Sequence, residues 1–324
     1  MPLISPEYLV DNFYKEVLIK NNLTAREILD EALTYHLLPD RRNQLKTFSL
    51  KPRCCDDSFG LIYALGGLNS HGDPTSTVEV YGCIQDKWRL AEPMITNRFD
   101  VAVAVLQGKL YAIGGYCAEN QLENLAIVEV FEPELKKWKR ICSTSKPKYG
   151  LRSAVLNNRL YVYGCSTDEE FYTIERYDPK LDVWIMVSSM KKRRYAAGVT
   201  AFNGGIVVAG GDNGFRACDS VEFYDTQKDS WTKIASMNDR RCRLGLSALN
   251  GLLYAVGGYD SIDFLSTVEC YNPSDDKWTY VSPMNVKRGL MGLVTCNSKL
   301  YAIGGCVRIK NQIYFHYSEF LFTF

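Results

Sequence analysis

The stretch Leu252–Gly258 reads Leu-Leu-Tyr-Ala-Val-Gly-Gly, a short apolar strand that ends in a glycine pair. Similar stretches recur along the chain, and their first glycines are Gly66, Gly114, Gly210 and Gly304. A sixth copy ends in Gly164-Cys165 and has lost the second glycine. Consecutive first glycines are separated by 48, 50, 46, 47 and 47 residues. Self-similarity at a nearly fixed period is the signature of a repeat architecture.

Three further positions of the repeat keep the same period. A tryptophan recurs at Trp88, Trp138, Trp184, Trp231 and Trp278. Seven residues before each tryptophan stands an aromatic residue: Tyr81, Phe131, Tyr177, Tyr224 and Tyr271. Two residues earlier stands a glutamate: Glu79, Glu129, Glu175, Glu222 and Glu269. We expect the rings to be buried between repeats, and each glutamate to pair with a backbone group or an arginine of its own repeat.

Each repeat of about 47 residues has the pattern of four short strands, with turns rich in proline, asparagine and aspartate between them. A four-stranded antiparallel sheet that repeats around an axis is a β-propeller blade. We therefore predict a mainly-β fold, a six-bladed propeller over residues 61–324 with its last blade incomplete. The glycine pairs should end strands where blades crowd, because a residue without a Cβ tolerates close backbone approach and positive φ.

The last repeat departs from the pattern. A sixth tryptophan is due at 324–328, but the sequence ends at Phe324, and residues 306–324 contain neither glycine nor tryptophan. The fourth strand of the sixth blade is therefore predicted to be missing. An open propeller would leave a sheet edge unpaired, so we expect reduced stability or aggregation for the chain expressed alone.

Residues 1–48 carry no copy of the repeat. Ser5-Pro6 begins a predicted helix, because proline suits the first helical position. A second helix is predicted to begin at Thr24, where Thr24–Glu27 forms a capping box, and to stop before Pro39. Residues 1–48 are thus interpreted as the end of a helical domain, residues 49–60 as a linker and residues 61–324 as the propeller.

Composition restricts the classes of function. The chain of 324 residues has 38 Lys and Arg against 37 Asp and Glu, and this net charge of +1 argues against nucleic acid or an anionic membrane as a partner. No apolar run reaches the ~18 residues of a membrane span, and Met1–Val10 lacks the features of a signal peptide. The 11 cysteines include no C-x-x-C, and the three histidines are dispersed. We therefore expect reduced thiols, no metal and no cofactor in a cytoplasmic protein.

The helical segment and the repeats together resemble a known family. Pro2–Leu9 and Asp30–Arg42, followed by repeats near the kelch period of about 50 residues, are similar to the end of the BACK domain and the propeller of BTB–BACK–kelch proteins. The resemblance covers nearly the whole chain and fails after about Cys306. It implies substrate recognition for cullin-3 ubiquitin ligases, in which the propeller holds the substrate. Cullin-3 binding is implied only through the BTB domain and the first part of BACK, which this sequence lacks.

The resemblance also implies where a substrate would bind. In family propellers the substrate face is formed by the loops after each glycine pair and by the residues after a cation that precedes the innermost strand. This cation recurs as Arg98, Lys148, Arg194, Arg241 and Arg288. The predicted substrate-binding residues after the cation are Phe99, Asp100, Tyr149, Tyr195, Cys242 and Arg243. Those after a glycine pair are Leu68, Tyr116, Asp212 and Tyr259, and those further along the same loops are Gln121, Arg216 and Phe264.

These residues predict a protein partner. Aromatic residues and arginine dominate recognition hot spots, and arginine binds carboxylates through two hydrogen bonds. The predicted ligand is a short peptide segment of a target protein, and an acidic segment would suit Arg216 and Arg243.

Two other functions compete with this one. Catalysis of the copper-oxidase kind would need His and Tyr ligands gathered at the axis, but His36, His71 and His316 are dispersed, and neither a P-loop nor a G-x-S-x-G motif occurs. The stronger alternative is a cytoskeletal, actin-associated kelch scaffold without a ligase role. The BACK-like start favours the ligase adaptor over that scaffold.

Overall fold

A computed structural model of the chain describes residues 60–117, 123–124, 126–166, 172–187, 190, 194–309 and 312–315. These residues form twenty-five β-strands, and no helix occurs among them. The two helices predicted within residues 1–48, and linker residues 49–59, lie outside the described residues. The domain boundaries drawn from the sequence remain predictions.

Five antiparallel sheets follow one another along the chain, and we call them blades 1 to 5. Blade 1 has three strands, β1 (Leu61–Leu65), β2 (Val78–Gly82) and β3 (Lys87–Leu90). Blade 2 has β4 (Ala102–Leu106), β5 (Lys109–Ile113), β8 (Val128–Glu132) and β9 (Lys137–Ile141), and its long loop carries the short pair β6 (Tyr116–Cys117) and β7 (Glu123–Asn124). Blade 3 has β10 (Lys148–Leu156), β11 (Arg159–Ser166), β12 (Tyr172–Asp178) and β13 (Val183–Met186). Blade 4 has β14 (Gly198–Phe202), β15 (Gly205–Ala209), β16 (Val221–Asp225) and β17 (Ser230–Ile234). Blade 5 has β18 (Gly245–Leu249), β19 (Leu252–Val256), β20 (Val268–Asn272) and β21 (Lys277–Val281).

Two two-stranded sheets follow blade 5. One pairs β22 (Gly292–Cys296) with β23 (Lys299–Ile303), and the other pairs β24 (Cys306–Ile309) with β25 (Gln312–Phe315). The propeller fold is therefore confirmed, but the predicted count of six blades is wrong, since the described chain has five blades of three or four strands. The sixth repeat supplies a two-stranded sheet because the next strand, β24, pairs with β25 and not with β23.

Apolar clusters lie between neighbouring sheets and hold them together. Between blades 4 and 5, Val207 of β15, Leu246 of β18 and Trp278 of β21 share one cluster. Similar clusters lie between the other neighbouring blades and between blade 5 and the β22–β23 sheet. The core of the propeller is thus divided among the interfaces between sheets.

The contact between the β22–β23 sheet and blade 1 closes the ring, and we call it the seam. The rings of Tyr81 and Tyr301 lie 6.3 Å apart there, centroid to centroid. The Sγ atoms of Cys83 and Cys296 lie 3.5 Å apart, although the two residues are separated by 213 positions in the sequence. The seam therefore joins the first described blade to the last strands of the ring.

Three of the repeat tryptophans couple neighbouring blades through hydrogen bonds of their Nε1 groups. The Trp278 ring lies 5.2 Å from that of Tyr271, its cross-strand partner, and its Nε1 donates to the Ala235 carbonyl after blade 4 at 2.9 Å. The Tyr271 hydroxyl donates to Asp276 at 2.8 Å, and Asp276 also accepts from the Ala235 amide at 2.9 Å. Equivalent Nε1 bonds join Trp138 to Glu92 and Trp184 to Cys142. The predicted structural role is confirmed for these three rings, of which Trp138 and Trp278 are buried and Trp184 is partly buried.

The glycine pair marks two close backbone approaches. A Cβ on Gly257 would lie 2.4 Å from the carbonyl oxygen of Arg288, at the start of the next repeat. A Cβ on Gly258 would lie 2.7 Å from the carbonyl oxygen of Cys242 in the same blade. The φ angles of the two glycines are 53° and 103°, so the predicted reason for glycine at these positions is confirmed.

Blade 3 departs from this pattern where Cys165 replaces the second glycine. Its strands β10 and β11 are nine and eight residues long, against five for the equivalent strands of blade 4. The added pairing places Tyr149 opposite Cys165, with a register shift between Tyr149 and Arg152. This hairpin therefore extends beyond the point at which the inner strands of the other blades end.

Candidate binding site

The cation that precedes each inner strand is buried and held by its own blade. Arg241 bonds Glu269 at 2.7 Å, and both side chains have 0% exposure. Arg241 also donates from Nη1 to two backbone carbonyls, at 2.9 Å each. The pair recurs as Arg98–Glu129, Lys148–Glu175 and Arg194–Glu222. The predicted pairing within one repeat is confirmed for these four glutamates, and the cations hold the blades in shape.

Burial lowers the pKa of Arg98, and the charge and hydrogen bond of its partner Glu129 oppose that shift. The Arg98 guanidinium also donates to the Gly114 carbonyl at 2.9 Å, at the end of β5. The cation therefore anchors the glycine pair of its own blade.

The residue after the cation pairs with the residue after the glycine pair. Antiparallel bridges of this kind join Phe99 to Tyr116, Tyr195 to Asp212, and Cys242 to Tyr259. The Tyr195 and Asp212 backbones exchange two hydrogen bonds, at 2.7 and 2.8 Å. The structure therefore brings together the two sets of residues that the sequence assigns to one face. We call this face the mouth, and its described, partly or fully exposed members are Leu68, Phe99, Asp100, Tyr116, Tyr195, Asp212, Arg243 and Tyr259.

The second residue after each cation forms an inner ring of the mouth with a left-handed backbone. Its φ is 50° at Asp100, 62° at Gly150, 45° at Ala196, 55° at Arg243 and 57° at Leu290. The Arg243 amide donates to the Ala196 carbonyl at 2.7 Å, and the Arg243 carbonyl accepts from Leu290 at 2.9 Å. Positive φ is uncommon for a residue with a side chain, so these bonds between blades fix the backbone from which Arg243 projects.

The mouth combines stacked rings with charges of both signs. Phe99 and Tyr116 stack with centroids 5.1 Å apart and ring planes at 21°. Asp100 forms a salt bridge with Arg152 at 3.0 Å. Burial raises the pKa of the Tyr116 hydroxyl, the Asp100 carboxylate raises it further, and Arg243 lowers it. The Arg243 charge thus acts from blade 5 on a tyrosine of blade 2.

Arg152 is a member of the site that the sequence did not reveal. It lies inside β10 and shares no repeated position with the other site residues, so spacing could not single it out. By contrast, Arg243 was predicted, and its exposed side chain forms no ion pair with any residue that the structure describes. It is therefore available to a ligand.

Two predicted contact residues are buried instead. Cys242 and Phe264 are each 3% exposed, so neither side chain can reach a ligand at the mouth. The Phe264 ring packs against Tyr259, with centroids 5.5 Å apart, and also covers Gly289, which has no side chain to keep the ring away. Burial raises the pKa of the Cys242 thiol to about 11. Both residues support the mouth from below its surface.

Three other predicted residues have different outcomes. Gln121 lies outside the described residues, and so does the side chain of Tyr149, whose backbone pairs with Cys165. Leu68 is partly buried and bridges Pro74. It has no partner of the kind seen in the other blades, because the described part of blade 1 has no inner strand with a preceding cation.

Arg216 lies on the β15–β16 loop at a cleft between blade 4 and the start of blade 5. The cleft has a volume of about 460 Å³ and is also lined by Lys233 and Arg240. We call it the basic cleft. Lys233 and Arg240 were not predicted, because one lies on the outer strand β17 and the other directly precedes a buried structural arginine. In the sequence such residues look like ordinary surface charge.

The described part of the chain offers no candidate metal centre. It contains no group of three or more His, Cys, Asp or Glu side chains that could hold a metal ion. Its nine cysteines form no disulfide with one another. No helix within the same residues has the length and apolar character needed to cross a membrane.

Known proteins share the repeat. Residues 101–305 match the family model described as the KLHDC2/KLHL20/DRC7 Kelch-repeats domain, and residues 60–95 match the Kelch motif. A solved structure, that of YjhT, superposes with a TM-score of 0.67 at 15% identity and covers 80% of this chain and 95% of that chain. At that identity the likeness shows the fold alone.

Curated relatives are members of the kelch-like group. Kelch-like protein 8 of Mus musculus is 34% identical over 139 residues, which cover 41% of this chain and 21% of that protein. Kelch-like protein 3 of Danio rerio is 36% identical over 117 residues, 36% of this chain and 19% of that protein. Kelch-like protein 28 of Homo sapiens is 31% identical over 171 residues, 51% of this chain and 29% of that protein. A finer resemblance to kelch-like protein 18, based on Arg53–Cys55, Gly60–Asp73 and Arg241–Arg243, is not confirmed by these matches.

Proposed function

Because the chain belongs to the Kelch-repeat family, we propose that its propeller recognises a target protein for a cullin-3 ubiquitin ligase. The propeller holds a peptide segment of the target at the mouth, and the target is then ubiquitinated. Cullin-3 itself is bound by the BTB and BACK parts of a full-length adaptor. The chain spans between about a fifth and three tenths of the length of the relatives it matches, which leaves room in such adaptors for those parts.

The observation that carries the proposal is that the mouth combines the exposed Arg243 with the stacked rings of Phe99 and Tyr116. Aromatic residues and arginine supply most of the energy at protein interfaces, and they do so near the centre of the contact. Inter-blade hydrogen bonds already fix the Arg243 backbone. A fixed backbone reduces the ordering cost of binding, so this residue is prepared for a specific contact.

An acidic residue of the target segment is the favoured ligand of Arg243. The guanidinium fork binds a carboxylate through two parallel hydrogen bonds. The two carboxylates of the mouth are already engaged, since Asp100 pairs with Arg152 and Asp212 accepts from the Gly214 amide at 2.7 Å. Within the mouth, the Asp100 charge is therefore offset by Arg152.

The test is affinity capture from cells with the full chain as bait, followed by mass spectrometry. Cells with blocked cullin activation are compared with untreated cells. We expect captured proteins whose levels rise under the block, and whose capture falls at least tenfold with Arg243→Ala. Lys228→Ala is the control, because Lys228 is 79% exposed on an outer turn of blade 4 and should not alter capture.

Two outcomes would contradict the proposal. Capture that is unchanged by Arg243→Ala would remove Arg243 from the site. A set of captured proteins that contains only cytoskeletal components, none of them stabilised by the block, would favour an actin-associated scaffold. A binding role without catalysis and a cytoplasmic location are parts of the same proposal, and the family membership supports them.

A further inference from the structure

A second charged feature of the propeller is the basic cleft. Arg216 and Lys233 are exposed, and neither side chain forms an ion pair with a residue that the structure describes. The Arg240 side chain is 49% exposed. Among the described residues that line the cleft, Asp219 is the one carboxylate, and its Oδ2 lies 4.0 Å from Arg240 Nε, at the outer limit of an ion pair. Three cations therefore share one weakly held carboxylate.

A fourth cation lines the cleft but adds no net charge. Arg194 is buried, and its Nη2 lies 2.5 Å from Glu222. Its guanidinium also donates to the Ser220 carbonyl at 2.6 Å. The excess of positive charge in the cleft is therefore two, carried by side chains that solvent can reach.

The fold does not require these cations. The equivalent positions in blade 5, 47 residues further along, are Asp263, Tyr280 and Lys287. There Lys287 bonds Asp263 at 2.9 Å, and the Tyr280 hydroxyl donates to Asp239 at 2.7 Å. The same place in the next blade thus satisfies its polar groups internally. Of these two blades, only blade 4 has an excess of positive charge at this place. The stability of the propeller does not explain that excess.

The loop that carries Arg216 is held in a defined shape. Asn213 Oδ1 accepts from the amides of Phe215 and Arg216, at 2.9 and 3.0 Å. The Ala217 amide donates to Ser261 Oγ of blade 5 at 2.6 Å. The cleft is therefore formed before a ligand arrives, as is usual for a small-ligand site.

We propose that the basic cleft binds a phosphate monoester on a phosphorylated side chain of the recognised partner. A phosphate monoester carries about −1.5 to −2 charges near pH 7, which matches the excess of two positive charges. Guanidinium groups bind its oxygens through paired hydrogen bonds, and Arg216 and Arg240 supply two of them. A carboxylate would leave one cation unbalanced. The proposal rests on the proposed function, because the mouth is the site that recruits the partner.

The test uses a capped Gly-phosphoserine-Gly peptide, titrated into the full chain by calorimetry at low and moderate salt. We expect binding that weakens as salt rises, and that is at least tenfold weaker in an Arg216→Ala/Arg240→Ala variant. The matched control is Lys287→Ala, which removes a cation from the equivalent position in blade 5 and should bind as the parent chain does. Circular dichroism confirms that each variant is folded.

Gly-Glu-Gly and Gly-Ser-Gly peptides complete the test. Equal binding of the glutamate and phosphoserine peptides would overturn the phosphate assignment, and equal binding by the parent chain and the double variant would overturn the cleft. Failure of the proposed function looks different. In that case Arg243→Ala captures every partner as the parent chain does, while the phosphoserine peptide still binds and still loses affinity in the double variant.

Discussion

Replacing the buried Glu269 with glutamine should remove a large part of the stability of the propeller. Glu269 Oε2 accepts from the amide and the side-chain nitrogen of Asn238, at 2.6 and 2.8 Å. Its Oε1 accepts from the Asp239 amide at 3.0 Å and from Arg241 at 2.7 Å. Glutamine has an NH₂ group in place of one oxygen, so one set of donors loses its acceptor and Arg241 loses the buried one of its two carboxylate partners.

The structure sets the size of this effect. Breaking a buried ion pair by removing one partner costs about 3–5 kcal/mol. Arg241 keeps a bond to Asp239 at 3.0 Å and two bonds to carbonyls, so we expect the lower end, about 3 kcal/mol. The equivalent change Glu222→Gln is the matched control. Glu222 is 14% exposed and pairs with Arg194, so its loss should cost about 1–2 kcal/mol.

The assay is urea unfolding at pH 7, followed by tryptophan fluorescence. The midpoints should fall from the parent chain to Glu222→Gln and further to Glu269→Gln. The reasoning is refuted if Glu269→Gln lies within about 0.5 kcal/mol of the parent chain, or if the two variants are equally destabilised. Either result would mean that the pair contributes little beyond the surrounding blade contacts.

Three further predictions concern other parts of the propeller. Tyr271→Phe should cost about 1 kcal/mol in urea unfolding, because Asp276 loses one of its two donors. Phe131→Tyr should bring no gain, since the equivalent turn residue of blade 2 is Lys136. Gly258→Ala should destabilise the fold by at least about 2 kcal/mol and Gly251→Ala by about 1 kcal/mol. Both glycines have positive φ, but only at Gly258 would an added Cβ meet neighbouring atoms. Equal urea midpoints for the two variants would contradict this prediction. The contribution of the buried thiols to the free energy of unfolding should be fully present below about pH 9 and should be lost as the pH rises towards 11. Burial raises the pKa of the Cys242 and Cys306 thiols from 9.0 to about 11 in the folded state, so these thiols ionise first in the unfolded chain. Urea midpoints that stay constant across that range, or that respond equally in a Cys242→Ala variant, would count against the last prediction.

The repeated positions could be read from the sequence because each is fixed by contacts within a blade or between blades. Gly258 is glycine since a Cβ would meet the Cys242 carbonyl, and Glu269 is glutamate since it must accept Arg241. These requirements return in the other four-stranded blades, except that Cys165 takes the place of the second glycine in blade 3. Spacing alone therefore locates the strands, the structural ion pairs and the residues that surround the mouth.

The solvent exposure of the individual mouth residues could not be predicted from the spacing in the sequence. Cys242 and Tyr259 are partners in one bridge, yet Cys242 is buried and Tyr259 is partly exposed. Which of them reaches solvent depends on the neighbouring sheet, where Gly289 leaves space for the Phe264 ring. The basic cleft was missed for a similar reason, because it combines a loop, an outer strand and the start of the next blade. The blade count failed because β24 and β25 pair with each other, a choice between partners that periodicity does not determine.

The seam contains a cysteine pair that can report whether the ring is closed. Cys83 and Cys296 belong to opposite ends of the described ring, and their sulfur atoms lie 3.5 Å apart when blade 1 and the β22–β23 sheet are in contact. A short bifunctional thiol reagent can join them only while that contact holds. The initial rate of cross-linking, measured by peptide mass spectrometry, therefore increases with the fraction of molecules whose ring is closed. Partner binding at the mouth can then be followed at a distance, through its effect on how often the ring opens.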